Sequence, residues 1–290
     1  MTGAAIEHAM SQAPFVSVIV ATRNVAPVLQ GLLDSLALQT CRDFEVLVCD
    51  GASGDGTLSI LEQAATMLPL AIVSRSDAGI YQAWNLALAC ARGKWVCFLG
   101  ADDRLADAST LAQLIHAARA APPQIGVVYG RVALVAESGA VLQLLGEPWE
   151  SIRSRFRQVM CIPHTGAMHR RTLFERHGPF DPTYRIAGDY EWLLRELKDH
   201  DALFVPETTV RMHFGGVSAR PERFLEALRE VRRAQRENGV SGPGREWWLA
   251  WARAAMRRLL VAMLGEGGTR LLMDAGRRLR GLPPLWTRLG

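Results

Sequence analysis

The sequence predicts an α/β protein: a mostly parallel β-sheet flanked by helices, followed by a basic helical C-terminal extension. Short apolar runs alternate with amphipathic segments through the first 105 residues, and alternation with short connections is typical of βαβ units. The predicted strands are continuously apolar, which indicates a sheet covered on both faces. The chain has 290 residues, 49% of them hydrophobic and 21% charged, so it can bury a sizeable core.

The elements follow in order along the first half. β-Branched and apolar runs predict the strands, and leucines at helical spacing, as in residues 29–36, predict the helices. Thr57 is expected to cap the second helix. The predicted strands are residues 16–21, 44–49, 71–74 and 95–99, and the predicted helices are residues 27–38, 57–67 and 80–91.

The second half is less regular. Glu137-Ser138-Gly139 predicts a hairpin turn, and Gly188 is expected to open an amphipathic helix that runs to about residue 199. The predicted strands here are residues 127–135, 141–145, 162–168 and 208–214. The expected division is a tail at 1–14, one large domain at 15–219 with halves at 15–105 and 106–219, and a helical extension at 220–290.

Charge and cysteine content narrow the function classes. The net charge is +4, but residues 211–290 carry 16 arginines against seven acidic residues, so the extension is expected to meet an anionic partner. It has no zinc-finger or RNA-binding signature, so nucleic acid is not the expected partner. The five cysteines form no C-x-x-C pair, which favours free thiols in a reducing compartment. Without a signal-peptide pattern or an apolar run of roughly 18 residues, we expect a cytoplasmic protein.

Polar residues gather where four predicted strands end. These are Thr22-Arg23-Asn24, the loop at 50–57 (DGASGDGT), the loop at 75–79 (RSDAG) and the pair Asp102-Asp103. An Asp-Asp pair alone is most often turn chemistry, and the loop at 50–57 matches neither common phosphate-binding glycine motif. Four such groups at the carboxyl edge of one parallel sheet, however, indicate a ligand site.

The segments VSVIVATRN, EVLVCDGASGDGT and SDAGIYQAWNLALACARGKWVCFLGADD resemble, in order, the nucleotide-sugar half of family 2 glycosyltransferases, which have the GT-A fold. The later segment HTGAMHRRTLFERHGPFDPTYRIAGDYEWLLR resembles the acceptor half. The resemblance spans about residues 15–218 and is closest to bacterial enzymes of exopolysaccharide or lipopolysaccharide assembly. It implies transfer of a sugar from a nucleoside-diphosphate sugar to a hydroxyl of a saccharide or lipid-linked saccharide acceptor.

The resemblance also implies a divalent cation, Mg²⁺ or Mn²⁺, that neutralises the leaving diphosphate. Asp103 is expected to face this metal, Asp102 the metal or the ribose, and His213 is a further candidate ligand. The expected donor-binding residues are Thr22, Asn24, Asp50, Asp77, Gly79, Asn85 and Asp102.

By resemblance, Asp189 is the general base, and one base with one displacement gives inversion at the anomeric carbon. The family usually has two adjacent acids here, whereas this chain has Gly188-Asp189, so one acid is available. Glu191 is a weaker alternative. His164 is a candidate for the acceptor site or a structural histidine.

Residues 246–264 combine tryptophans with Arg253, Arg257 and Arg258. Two interpretations are open: a helix packed on the large domain, or an in-plane helix on the inner face of the cell membrane. Two rival functions are also open. One is a nucleotidyltransferase acting on sugar phosphates, although its early glycine-rich loop is absent. The other is a non-catalytic nucleotide-sugar binding protein.

Overall fold

The computed structural model describes residues 13–75, 79–136, 138–213, 223–281, 284 and 286–288. The strands are β1 Val16–Thr22, β2 Phe44–Asp50, β3 Leu70–Arg75, β4 Trp95–Leu99, β5 Arg104–Leu105, β6 Ile125–Val135, β7 Val141–Leu145, β8 Met168–Arg170 and β9 Asp201–His213. The helices are α1 Ala26–Ala37, α2 Thr57–Ala64, α3 Ile80–Leu88, α4 Thr110–Ala120, α5 Trp149–Phe156, α6 Arg171–His177, α7 Gly188–Glu196, α8 Phe224–Glu237 and α9 Arg245–Arg278. A 3₁₀ turn, Trp286–Arg288, follows α9.

One sheet joins all the strands in the order β3-β2-β1-β4-β8-β6-β9-β5, with β7 paired to β6. Strands β1 to β4 are parallel, as predicted, whereas the short β5 pairs antiparallel with β9. The second half adds antiparallel pairs, and β8 joins the two halves by pairing with both β4 and β6. In the parallel register Thr22 lies beside Asp50, so β1 and β2 end at the same edge.

Helices cover both faces of the sheet, because alternate side chains of each strand point to opposite sides. Val16, Val18 and Val20 face one core together with α1, α2 and α4. Ile19 and Phe98 face the other core, which α3, α5, α6 and α7 complete. The continuously apolar strands therefore reflect burial on both faces, as the sequence indicated.

Several local predictions were wrong. The last strand begins at Asp201 and not at residue 208, and the helices predicted to end at residues 67 and 91 end at Ala64 and Leu88. Residues 162–167 are not a strand, because Gly166 adopts a left-handed φ of +74° and β8 begins only at Met168. Gly56, at φ 92°, rather than Thr57 is the N-cap of α2, and the Thr57 hydroxyl instead donates to Asp55 at 2.6 Å. The helix predicted to reach about residue 199 ends at Glu196.

Helix α8 packs onto the body of the protein. Ala234 lies in the second core, and Gln235, fully buried, donates to the carbonyl of Gln158 at 2.9 Å. Arg233 pairs with Asp181 at 3.0 Å. The domain boundary expected near residue 219 falls outside the described residues. Helix α8, the first helix after it, packs into the second core.

Candidate active site

The loops that follow β1 and β2 are joined to each other. Asp50 is fully buried, and its carboxylate accepts hydrogen bonds from the Thr22 hydroxyl at 2.8 Å and from the backbone N–H and hydroxyl of Ser53 at 2.8 and 2.6 Å. Asn24 donates its backbone N–H to Ser53 at 2.8 Å and accepts that of Gly54 at 2.9 Å. Thr22, Asn24 and Asp50 are thus brought together, with Asn24 the exposed member.

Both loops contain left-handed residues other than glycine. Asn24 has φ 52° and Ala52 has φ 58°. Such conformations cost free energy in L-residues and persist where the surroundings impose them, often at binding sites. Here the hydrogen bonds between the two loops impose them, so the polar edge is held in one conformation.

The other predicted donor contacts lie around α3. Asp77 is outside the described residues. Gly79 is the exposed N-cap of α3, and a Cβ added there would meet no atom within 4 Å. Asn85 lies further along α3, and its amide exchanges two hydrogen bonds with the backbone of Phe180, at 2.8 and 3.0 Å. That contact makes Asn85 a support of the loop at 178–182, whereas its contact with a donor stays a prediction.

Asp102 and Asp103 follow β4 and converge on Gly100. A Cβ at position 100 would lie 2.9 Å from the Asp103 Oδ2 and 3.0 Å from the Asp102 Oδ1, so glycine leaves room for both carboxylates. Asp102 is half-buried, whereas Asp103 is 3% exposed and accepts the Gly100 N–H at 2.7 Å. Burial raises the pKa of Asp103 to about 7, against the lowering effect of its hydrogen bonds.

Thr165 is the part of this site that sequence reasoning missed. Its hydroxyl donates to the Oδ2 of Asp103. The contact depends on the turn that precedes β8, where the Gly166 N–H binds the carbonyl of Phe98 at 2.9 Å. Its signal in the sequence is the His-Thr-Gly segment, which lies within the strand predicted at residues 162–168.

Two carboxylates from one turn suit a hard divalent cation, which prefers oxygen ligands and keeps open positions for phosphate oxygens. A cation would also favour the ionised form of Asp103, which burial disfavours. Among the described residues, no group of three or more His, Cys, Asp or Glu side chains could hold a metal ion. His213 is the last residue of β9, the strand that pairs with β5 just after Asp102 and Asp103, and its contact with a metal stays a prediction.

Asp189 is the second residue of α7 and is half-buried. Its Oδ1 accepts the Tyr190 N–H at 2.8 Å and lies 3.4 Å from the hydroxyl of Tyr81. Burial raises the pKa of this carboxyl to about 6. A group with that pKa is mostly ionised at neutral pH and remains basic enough to accept a proton.

Glu191 is the weaker candidate for the base and His164 the candidate for the acceptor site, and both pack against other side chains. Glu191 is buried and pairs with Arg195 at 2.8 Å. His164 is also buried and stacks on the rings of Trp84 and Phe98, with centroids 5.4 and 5.3 Å away. Burial lowers the pKa of His164 well below its usual value. The structure therefore favours the structural interpretation of His164.

Helix α9 presents apolar side chains to solvent. Trp248, Trp251, Leu259 and Met263 share one face and are 43–71% exposed. No helix in the described part of the chain is both long and apolar enough to span a membrane. The guanidinium of Arg257 lies over the Trp286 ring, 5.2 Å from its centroid.

Comparison with known proteins identifies the family. Residues 17–178 match the family described as Glycosyl transferase family 2. A PGL/p-HBAD biosynthesis glycosyltransferase of Mycobacterium bovis is 38% identical over 185 residues, which are 63% of this chain and 70% of that protein.

Solved structures share the fold. A mannosyltransferase from Pyrobaculum calidifontis, in complex with GDP-Man and Mn²⁺, aligns with a TM-score of 0.60 at 22% identity over 94% of this chain and 82% of its own. TarS 1-349 of S. aureus, in complex with UDP-GlcNAc, aligns with a TM-score of 0.58 at 22% identity, over 76% of this chain and 66% of its own. The α/β architecture predicted from the sequence is the GT-A fold, and the chain belongs to glycosyl transferase family 2.

Proposed function

We propose that the protein is an inverting glycosyltransferase that moves a sugar from a nucleoside-diphosphate sugar to an acceptor hydroxyl, with Asp189 as the general base. The observation that carries this proposal is the half-buried Asp189 at the start of α7, whose pKa of about 6 suits a base at neutral pH. The neighbouring acid Glu191 is tied to Arg195, which leaves Asp189 as the acid available at this point.

Asp102 and Asp103 are the residues that would hold a divalent cation. When bound, Mg²⁺ or Mn²⁺ supplies charge neutralisation for the diphosphate leaving group. Thr165 and the Gly100 N–H orient the Asp103 carboxylate through its Oδ2. In this proposal the donor binds against Asn24, which is exposed just after β1, and against Gly79.

The donor and acceptor classes are proposed from the sequence and the relatives together. The named structural neighbours were solved with GDP-Man or UDP-GlcNAc, which supports a nucleoside-diphosphate sugar as the donor. The Mycobacterium bovis relative is named for PGL/p-HBAD biosynthesis. We propose an acceptor in cell-surface polysaccharide or glycolipid assembly.

Incubation with a panel of UDP-, GDP- and dTDP-sugars, followed by chromatography of the nucleotides, tests the reaction class. We expect nucleoside diphosphate to be released from at least one donor, faster with saccharide acceptors and not in the presence of EDTA. Conversion of a nucleoside-diphosphate sugar and added pyrophosphate into a nucleoside triphosphate and a sugar 1-phosphate would identify a nucleotidyltransferase. Donor binding without turnover over the whole panel would identify a binding protein.

We also propose that α9 lies on the inner face of the cell membrane. Its exposed apolar face, with two tryptophans, suits the headgroup region, and the exposed Arg253 and Arg258 flank that face. Arginines near an anionic surface contribute about 1 kcal/mol each. Lipid-linked acceptors would be reached from this position.

We expect the full chain to bind vesicles that contain anionic lipid, more weakly as salt rises. The double variant Arg253→Glu/Arg258→Glu should bind roughly tenfold less tightly or worse, and deletion of residues 241–290 should eliminate binding while donor affinity is kept. Vesicle sedimentation measures both. Dimers in place of vesicle binding would assign the apolar face to a second copy of the chain and contradict the membrane proposal.

A further inference from the structure

Glu230 of α8 reaches the turn that leads into α7. Its Oε1 accepts the backbone N–H of Arg185 at 2.9 Å. Its Oε2 accepts the N–H groups of Ile186 and Ala187, each at 2.8 Å. Backbone N–H groups at the start of a helix have no partner within the helix, and Ala187, the N-cap of α7, makes no side-chain capping bond. One carboxylate from α8 therefore caps this turn.

Tyr81 of α3 holds the same turn. Its hydroxyl donates to the carbonyl of Ile186 at 2.7 Å, accepts the Gly188 N–H at 2.8 Å, and lies 3.4 Å from the Oδ1 of Asp189. The phenol is buried. A Cβ at position 188 would lie 2.8 Å from carbons of the Tyr81 ring, so Gly188 is what lets the ring come so close.

We propose that Tyr81 and Glu230 are positioning residues for Asp189: together they fix the turn at 185–188 and set the direction and basicity of the carboxylate. This inference rests on the proposed role of Asp189 as the base. It makes α8, which lies beyond the segment that resembles the family, part of the active site. It also couples the base to α3, the helix that follows the loop at 75–79.

Tyr81 and Glu230 shift the pKa of Asp189 in opposite directions. The single proton of the Tyr81 hydroxyl points mainly to the Ile186 carbonyl at 2.7 Å and lies weakly towards the Asp189 Oδ1 at 3.4 Å, so the hydroxyl favours the ionised carboxylate to a small extent, whereas the negative charge of Glu230 disfavours it. Tyr81 of α3 and Glu230 of α8 are the titratable side chains of other elements that shift the pKa of Asp189 most among the described residues. Loss of packing alone would expose the Asp189 carboxylate to water and lower its pKa, because burial is what raises it. The rise expected when the Tyr81 hydroxyl is removed therefore distinguishes loss of the donor from loss of packing.

Titration of the protein labelled with [¹³C]aspartate tests this without any substrate. The carboxyl resonance that disappears in Asp189→Asn belongs to Asp189. We expect its midpoint to rise in Tyr81→Phe, which loses the donor, and to fall in Glu230→Gln, which loses the charge. Turnover of the donor selected by the nucleotide-sugar panel should fall about tenfold in both variants.

Glu237→Gln is the matched control. Glu237 lies on the same helix and accepts the Tyr184 hydroxyl at 2.6 Å, so its loss should lower the melting temperature and leave the Asp189 midpoint unchanged. Unshifted midpoints in folded Tyr81→Phe and Glu230→Gln would overturn the inference. If Glu230→Gln does not fold, the isosteric Tyr81→Phe decides alone. Normal turnover in Asp189→Asn would instead overturn the proposed base, whatever the titrations show.

Discussion

Asp189→Asn should reduce turnover by roughly 10²-fold or more while the affinity for the donor is kept. Asparagine has the size of aspartate and can still accept the Tyr190 N–H through its carbonyl oxygen. It cannot take a proton from the acceptor hydroxyl. Steady-state rates, with donor affinity from calorimetry, separate the two quantities.

The same variant removes the acidic limb of the pH profile. Asp189 is active when ionised, and burial raises its pKa to about 6, so wild-type turnover should rise with pH through that value. Glu191→Gln is the control, because it lies in the same helix turn and is paired with Arg195. It should lose stability and keep its turnover. Near-normal turnover in Asp189→Asn together with lost turnover in Glu191→Gln would move the base to Glu191.

Asp103→Asn should remove the gain in nucleoside-diphosphate affinity that Mn²⁺ provides, a loss of roughly tenfold or more, or about 1.4 kcal/mol. The amide keeps the shape of the side chain and loses the charge that attracts the cation. Asp103 is buried and burial raises its pKa, so the neutral residue should leave the melting temperature unchanged or higher. Calorimetry with Mn²⁺ and with EDTA measures the difference.

Thr165→Val is the matched control for this prediction. It removes the hydroxyl that orients the Asp103 carboxylate and keeps the carboxylate itself. We expect an intermediate loss of Mn²⁺-dependent affinity. Equal affinity with Mn²⁺ and with EDTA in the wild-type protein would contradict the metal assignment altogether.

The sequence predicted the structure most accurately where the pattern involves only residues that are close together in the chain. Strands β1 to β4 were predicted to within one residue at each end, because an all-apolar run of that length between turn residues has few other solutions, whereas the two-residue strand β5 was not predicted. The convergence of Thr22 with Asp50 followed from the parallel sheet. The placement of Asp189 at a helix start was also predictable, because Gly188 precedes an amphipathic segment.

Contacts between distant segments could not be predicted. Thr165 lies 62 residues from Asp103, and its side chain points at the carboxylate only because a left-handed glycine bends the chain before β8. Glu230 belongs to the segment predicted to be a basic helical extension. The residues around it in the sequence give no sign that it caps a helix more than 40 residues earlier. The rings that stack on His164 likewise come from distant segments, Trp84 from α3 and Phe98 from β4.

The anomeric configuration of the product tests the central claim most directly. A donor whose sugar is α-linked to the diphosphate is incubated with its acceptor and metal, and the new linkage is read by ¹H NMR. A single displacement assisted by Asp189 predicts a β-linked product. An α-linked product would contradict the account, because retention requires a step that one base and one displacement do not provide.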